Sequence, residues 1–107
     1  AQRLFELPEP PTAIFACNDL MAIGAMAAAN AAGRRIPDDL SIIGFDNVPQ
    51  APYTNPPLTT IAQPIAAFGR AAIQMLLERI ADKRLPARRQ VLSTQLIVRA
   101  STAPPRV

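Results

Sequence analysis

Two pairs of adjacent polar side chains are the strongest candidates for chemistry in this chain of 107 residues. They are Asn18-Asp19 and Asp46-Asn47, and each pair directly follows a short apolar segment. A carboxyl and a carboxamide group together accept and donate hydrogen bonds, which suits the hydroxyls of a small polar ligand. The same pairs could instead cap a helix and form a turn, so both interpretations stay open from spacing alone.

The segments around these pairs predict a strand, a helix and a second strand. Residues 12–17 (TAIFAC) and 40–45 (LSIIGF) are short and apolar, which is typical of strands buried on both faces. Between them, Asn18-Asp19 predict a helix start, residues 20–32 an alanine-rich helix, and Gly33 its end. This order predicts parallel strands with a right-handed crossover. Their carboxyl ends share one edge of the sheet, where ligands bind in open α/β folds.

The rest of the chain predicts one more helix and several short strands. Residues 1–11 carry three prolines and predict an extended lead-in, and residues 47–57 carry four and predict a stiff loop. We expect strands at 58–61, 90–92 and 95–99, a helix over 65–83, and a frayed tail from Ser101.

Composition excludes several classes of site. The sequence has no histidine and one cysteine, Cys17, so it cannot build a histidine-dependent nucleophile, an internal disulfide or a paired-cysteine metal site. We interpret Cys17 as an inert thiol of the buried first strand. Asp19 and Asp46 could act as an acid and a base. Without a histidine, a reactive cysteine or a phosphate-binding glycine loop, however, we expect no enzyme, no cofactor and no metal site.

Charge is divided unevenly along the chain. Residues 1–54 hold 6 acidic and 3 basic side chains, whereas residues 55–107 hold 2 acidic and 8 basic ones. The dense basic cluster within residues 83–89 has no interleaved aromatic residues, so we interpret it as a solvated helix end rather than a nucleic-acid site. The lone Tyr53 lies in the proline-rich loop, where it could anchor a partner subunit or pack on its own domain.

Four segments in a fixed order resemble transcriptional regulators of the LacI/GalR family. They are residues 11–25 (PTAIFACNDLMAIGA), 36–47 (IPDDLSIIGFDN), 57–64 (PLTTIAQP) and 96–102 (LIVRAST). Members of this family carry an N-terminal helix-turn-helix domain and a two-lobed effector-binding domain similar to periplasmic sugar-binding proteins. The resemblance therefore implies an α/β chain with a partial periplasmic-binding-protein-like type I fold, in which helices flank a parallel sheet.

The resemblance covers only the last third of such a regulator. It implies that residues 1–107 are a C-terminal fragment of the effector-binding domain and that the DNA-binding domain is absent from this sequence. Residues 11–62 and 94–102 would belong to the C-terminal lobe, and residues 63–93 would return to the N-terminal lobe. We expect operator DNA to be bound through the missing N-terminal domain and not through these residues, in a cytoplasmic protein.

The resemblance also assigns roles to single residues. Asn18 and Asp46 match positions that hydrogen-bond the effector in family members. Gln63 and Ile65 match positions at the crossover between the lobes, where the side chain at the Ile65 position often packs against the ligand. Many members have an aromatic residue there, so Ile65 departs from the pattern that would stack on a sugar ring. Asp19 is expected to cap its helix.

For function, the resemblance implies that the chain senses a small-molecule effector, a sugar in many members, within a transcriptional repressor. Ile23 and Tyr53 match positions in the dimer interface of the family, which implies a homodimer or a higher oligomer. A fragment of an extracytoplasmic sugar-binding protein of an uptake system shares the fold and is the alternative hypothesis.

Overall fold

The computed structural model describes residues 1–106. In chain order the elements are α1 (Gln2–Phe5), β1 (Ala13–Phe15), α2 (Asp19–Ala31), β2 (Ser41–Ile43), β3 (Thr60–Ala62), α3 (Ile65–Ala81) and β4 (Gln95–Ile97), with a 3-10 turn at Ala51–Tyr53. The chain divides into two compact units. The first unit holds residues 1–62 and the described residues from Gln95 onward, and the second holds residues 63–94.

The first unit is built on the parallel strand pair that the sequence predicts. β1 pairs with β2 in parallel, with Ala13–Phe15 opposite Ser41–Ile43. Ile43, at the end of β2, and Asp46, beyond it, form parallel bridges with Thr59 and Ala62, so the chain around β3 runs in the same direction as β2. β4 pairs with β3 in the antiparallel direction. The α/β fold class is confirmed, and the last strand runs against the others.

α2 begins and ends close to the residues that the sequence indicates. Asn18 is its N-cap, and Gly33 follows its C-terminus with φ +69°, a left-handed conformation that glycine adopts at no steric cost. Its buried apolar side chains are three alanines and one methionine, namely Ala22, Ala25, Met26 and Ala29. Because these side chains are small, α2 lies close against β2, and together with Leu40, Ile42 and Leu58 they form the core of the unit.

Two expectations about the ends of the chain are wrong. Residues 2–5 form α1 rather than an extended lead-in, because the first proline stands only at Pro8 and the residues before it are free to make a helical turn. Ser101 is fully buried rather than frayed. Its hydroxyl bonds to backbone groups of Ile42 and Thr59, and these contacts fix the start of the tail.

Two expectations about strands also differ from the structure. Residues 90–92 form no strand, since no strand of the described residues pairs with them. β1 is only partly buried, and Phe15 stays 61% exposed, because nothing in the described chain covers its outer side. Cys17 lies beyond the end of β1 and is exposed, so its interpretation as a buried core thiol is wrong.

The second unit is dominated by α3. This helix has Pro64 at its N-cap and ends at Ala81, two residues before the expected end, where Asp82 turns to an extended backbone. None of its residues is buried. Its large apolar side chains stay exposed in the described chain, namely Ile65, Phe68, Ile73, Leu76, Leu77 and Ile80. Among residues 1–106, no helix combines the length and the apolar character needed to cross a membrane.

Candidate functional site

The residues that follow β1 and β2 lie at one edge of the first unit, as parallel pairing requires. Past the paired strands, Ala16 donates its backbone N–H to the Ile43 carbonyl at 2.9 Å, and Asp19 donates to the Phe45 carbonyl at 2.8 Å. These two bonds keep the chain segments side by side beyond the strand ends. The candidate ligand residues Asn18 and Asp46 are each one residue away from the second bond, so this edge presents both of them.

Asn18 caps α2. Its Oδ1 accepts a hydrogen bond of 2.8 Å from the backbone N–H of Met21, which satisfies one of the orphan donors of the first turn. Capping uses only the oxygen of the carboxamide. The side-chain NH₂ group remains a pair of donors of the kind that meets a ligand hydroxyl.

Asp46 and Asn47 form an unusual turn that begins three residues after the end of β2. Both are non-glycine residues with positive φ, 116° at Asp46 and 59° at Asn47. The backbone N–H of Asp46 donates to the Ile61 carbonyl at 2.9 Å, and the Asn47 side chain accepts from Arg99 at 2.7 Å. Asp46 is half-buried at this edge. Its conformation is therefore set by a hydrogen-bonded frame.

Asp19 does not cap α2, and that expectation is wrong. Asn18 occupies the cap, so Asp19 is the first helical residue and its side chain enters the interior, where it is fully buried. One carboxyl oxygen accepts from the Thr60 hydroxyl at 2.5 Å and the other accepts from the Val48 backbone N–H at 2.8 Å. Spacing alone could not reveal this role, because the partners stand 41 and 29 residues away.

The two other residues assigned to the ligand belong to the second unit. Gln63 is half-buried, and its carbonyl accepts the backbone N–H of Ile65 at 2.9 Å. Ile65 is the first residue of α3 and is 63% exposed. The residues assigned to the dimer interface lie in the first unit, where Ile23 is half-buried on α2 and Tyr53 is 88% exposed at the end of the 3-10 turn.

A second polar cluster lies before β2, at the opposite end of that strand. Asp39 accepts hydrogen bonds from the Arg35 side chain at 2.9 and 3.0 Å and from its backbone N–H at 2.9 Å. These bonds hold the pKa of the Asp39 carboxyl well below its ordinary value, and they raise the pKa of Arg35. Arg106 adds an ion pair at 3.5 Å. This cluster closes the turn that leads into β2.

Among the described residues, no group of three or more histidine, cysteine, aspartate or glutamate side chains is placed to hold an ion. The arrangement at the carboxyl edge is instead one of hydrogen-bonding groups held on a rigid frame, which suits the recognition of a small polar molecule.

The chain matches known proteins along nearly its whole length. A family model described as a periplasmic binding protein-like domain matches residues 1–102. The HTH-type transcriptional repressor CytR of Escherichia coli K12 is 45% identical over 101 residues, which cover 94% of this chain and 30% of that protein. The chain thus spans less than a third of the length of this relative.

Solved structures agree with the sequence match. A LacI family transcriptional regulator from Enterococcus faecalis V583, with bound ribose, superposes with a TM-score of 0.87 and is 44% identical, covering 97% of this chain and 38% of that one. A LacI family transcriptional regulator from Arthrobacter sp. FB24, in complex with lactose, has a TM-score of 0.79 and 36% identity, covering 94% of this chain and 38% of that one. The chain therefore belongs to the periplasmic binding protein-like domain family, and its relatives there are LacI-family transcriptional regulators.

Proposed function

We propose that this chain is part of the effector-binding domain of a DNA-binding transcriptional repressor, and that the effector is a small polyhydroxylated molecule, a sugar. The observation that carries the proposal is the shared edge at which Asn18 and Asp46 follow two parallel strands, joined there by the bond from Asp19 to Phe45. Ligands of open α/β sheets bind beyond such carboxyl ends. The bound ribose and lactose of the two solved relatives support a sugar.

Each of the four ligand residues has a distinct part in this proposal. The Asn18 NH₂ group donates to a ligand hydroxyl, and the Asp46 carboxyl accepts from others. Gln63 adds a further donor and acceptor. Ile65 contributes an apolar contact, since an aliphatic side chain offers no aromatic face for stacking on a sugar ring.

The two units support an assignment to lobes. We assign residues 11–62 and 94–102 to the C-terminal lobe and residues 63–93 to the N-terminal lobe of the effector-binding domain. The division of the chain after residue 62 supports the first boundary, and the return to the first unit at Gln95 lies one residue from the second. In the complete protein an effector held by both lobes stabilises one arrangement of them, and it shifts the equilibrium only by its difference in affinity for the two arrangements.

The repressor activity would follow from this shift. A dimer that binds two operator half-sites needs its DNA-binding heads at a fixed spacing, so a change in the lobes alters operator affinity. Ile23 and Tyr53 contribute to the dimer interface in this proposal, and the DNA is bound by a helix-turn-helix domain outside residues 1–107. The similarity to the repressor CytR supports a regulatory role over an enzyme activity or a role in uptake. A repressor that binds DNA in this way would act in the cytoplasm.

Calorimetry on the complete protein that carries this chain tests the proposal. We expect D-ribose or lactose to bind. We expect Asp46→Asn to weaken binding by about 10–100-fold, because the substitution removes the negative charge and turns one acceptor oxygen into a donor. Asp38→Asn is the matched control, since this exposed carboxyl lies at the opposite end of β2 and its removal leaves affinity unchanged. Binding of neither sugar would contradict the sugar assignment.

Regulation is tested with DNA that the complete protein selects from a random library. We expect a bound sugar to change the mobility shift of this DNA, and we expect Asp46→Asn to require a higher sugar concentration for the same change. Operator binding that is indifferent to a sugar bound in the calorimeter would contradict the regulatory role.

A further inference from the structure

The turn that presents Asp46 has an intrinsically unfavourable backbone. Two successive non-glycine residues, Asp46 and Asn47, have φ of 116° and 59°. Residues other than glycine rarely adopt positive φ, and such conformations persist only where the surrounding structure holds them. The contacts that hold this turn therefore help to determine the position of the Asp46 carboxyl.

Asp19 is bonded to the chain on both sides of this turn. Its backbone N–H donates to the carbonyl of Phe45, the residue before the pair, at 2.8 Å. Its carboxyl accepts from the backbone N–H of Val48, the residue after the pair, at 2.8 Å. One buried residue thus fixes the start and the end of the strained turn.

Asp19 is itself held with little freedom. Its other carboxyl oxygen accepts the Thr60 hydroxyl at 2.5 Å, and both residues are fully buried. Gly44 leaves the space for this carboxyl, because a Cβ at that position would overlap the Asp19 carboxyl oxygen and approach the Asp19 Cα to 3.2 Å. The Asp19 carboxyl is thus held at one oxygen by the Thr60 hydroxyl and at the other by the Val48 backbone N–H.

We propose that Asp19 is a positioning residue for ligand recognition, which holds the left-handed turn so that the Asp46 carboxyl is presented before the ligand arrives. The proposal rests on the proposed function for the contact between Asp46 and the effector. Without the bond to Val48, the turn relaxes toward negative φ, and only a fraction of molecules presents Asp46 correctly. The apparent dissociation constant rises in inverse proportion to that fraction.

Asp39, which lies just before β2, provides the control. Its carboxyl also accepts a backbone N–H, that of Arg35 at 2.9 Å, but at the end of β2 that lies away from the Asp46 turn. Replacement of either aspartate by alanine removes one hydrogen bond from a backbone N–H to a side-chain carboxyl, that of Val48 or that of Arg35. Only the Asp19 change should affect ligand recognition.

The test uses the complete protein that carries this chain, with D-ribose and lactose as probes in calorimetry and amide NMR without ligand. Asp19→Ala should raise the dissociation constant of the sugar that binds by about tenfold or more, whereas Asp39→Ala should change it less than about twofold. Asp19→Asn should restore most of the affinity, because its oxygen can accept from Val48 while its NH₂ group donates to the Thr60 hydroxyl.

The NMR readout separates positioning from a general loss of stability. In Asp19→Ala, the three-bond HN–Hα coupling of Asp46 should increase, because it is small at φ near +116° and larger at negative φ, and the Val48 amide proton should move upfield. If Asp19→Ala does not fold, Thr60→Val replaces it, with Thr60→Ser as the variant that keeps the hydroxyl. An unchanged Asp46 coupling, or unchanged sugar affinity in a folded variant, would overturn the proposal.

The two proposals fail separately in this experiment. If neither sugar binds the unmodified protein, the sugar assignment fails, and the Asp46 coupling still decides whether Asp19 holds the turn. If a sugar binds and Asp46→Asn weakens it while Asp19→Ala does not, the proposed function stands and the positioning role is wrong.

Discussion

The Arg99 guanidinium donates a hydrogen bond of 2.7 Å to the side-chain oxygen of Asn47. The same guanidinium donates to the Leu58 carbonyl at 2.8 Å, and the Arg99 backbone N–H donates to the Thr59 hydroxyl at 3.0 Å. The segment after β4 is thus tied both to the chain before β3 and to the turn after β2. The second residue of the left-handed turn therefore depends on a side chain that lies 52 residues away in sequence.

Asn47→Asp should strengthen this tie. The substitution keeps the shape of the side chain, tolerates the left-handed backbone, and replaces a neutral acceptor of Arg99 by a charged one. For a half-buried pair we expect a gain of about 0.5–1 kcal/mol in the free energy of unfolding, measured by urea denaturation at low salt. Asn30→Asp, an exposed position on α2, is the control for added charge. Salt of 1 M should reduce the gain only in part, since a half-buried pair at contact distance is screened less than an exposed one. No gain in Asn47→Asp, or an equal gain in Asn30→Asp, would contradict the prediction.

Ser101→Ala should destabilise the first unit strongly. The buried Ser101 hydroxyl donates to the Ile42 carbonyl at 2.5 Å and accepts the Thr59 backbone N–H at 2.8 Å. The substitution leaves both backbone groups without this partner in the interior, which costs about 2–4 kcal/mol. Ser41→Ala is the matched control, because the Ser41 hydroxyl also bridges two backbone groups, both of Ala103, but near solvent. If the two variants lose the same free energy of unfolding, burial of the hydroxyl does not determine the size of the effect.

The sequence predicts those parts of the fold that depend on neighbouring residues. Asn18 and Gly33 mark the ends of α2 through local chemistry, a side-chain cap and a left-handed glycine. The apolar segments on either side predict the parallel pair and hence the shared edge of Asn18 and Asp46. The helix ends need only a few residues of context, and the parallel pairing follows from the strand–helix–strand order, in which the connection is a single helix; the structure agrees with both.

The parts that sequence reasoning misses depend on distant partners. Asp19 looks like a helix cap until Thr60 and Val48 are seen beside its carboxyl. Ser101 looks like the start of a loose tail until Ile42 is seen beside its hydroxyl. Burial fails for the same reason, because the composition of β1 cannot tell whether another element covers Phe15. Pairings over tens of residues leave no periodic signal in a single sequence.

Stability at low pH should depend on Asp39. Hydrogen bonds from Arg35 hold the Asp39 pKa in the folded chain well below its unfolded value of about 4. As the pH falls below about 4, Asp39 is protonated in the unfolded chain while it is still ionised in the folded chain. The contribution of Asp39 to the free energy of unfolding is therefore fully present above about pH 4 and is lost as the pH falls toward the folded pKa. Urea denaturation at pH 6 and at pH 2.5 measures how much the free energy of unfolding falls on acidification. This fall should be smaller in Asp39→Asn than in the unmodified protein, and salt should reduce the difference between the two. The control is Glu6→Gln, which removes an exposed carboxyl outside this cluster and should leave the fall in the free energy of unfolding unchanged.

Two glycine-to-alanine substitutions should change the free energy of unfolding in opposite directions. A Cβ on Gly44 would overlap the Asp19 carboxyl oxygen and lie 3.2 Å from both the Asp19 Cα and a Leu58 methyl group, so Gly44→Ala should cost about 1–3 kcal/mol. A Cβ on Gly24, in the middle of α2, would meet nothing within 4 Å, so Gly24→Ala should gain about 0.5–1 kcal/mol through helix propensity. Both values are free energies of unfolding from urea denaturation. If Gly44→Ala leaves the free energy of unfolding unchanged, the Asp19 carboxyl can move aside at no cost. That result would contradict the view that close packing against residue 44 holds this carboxyl beside Val48.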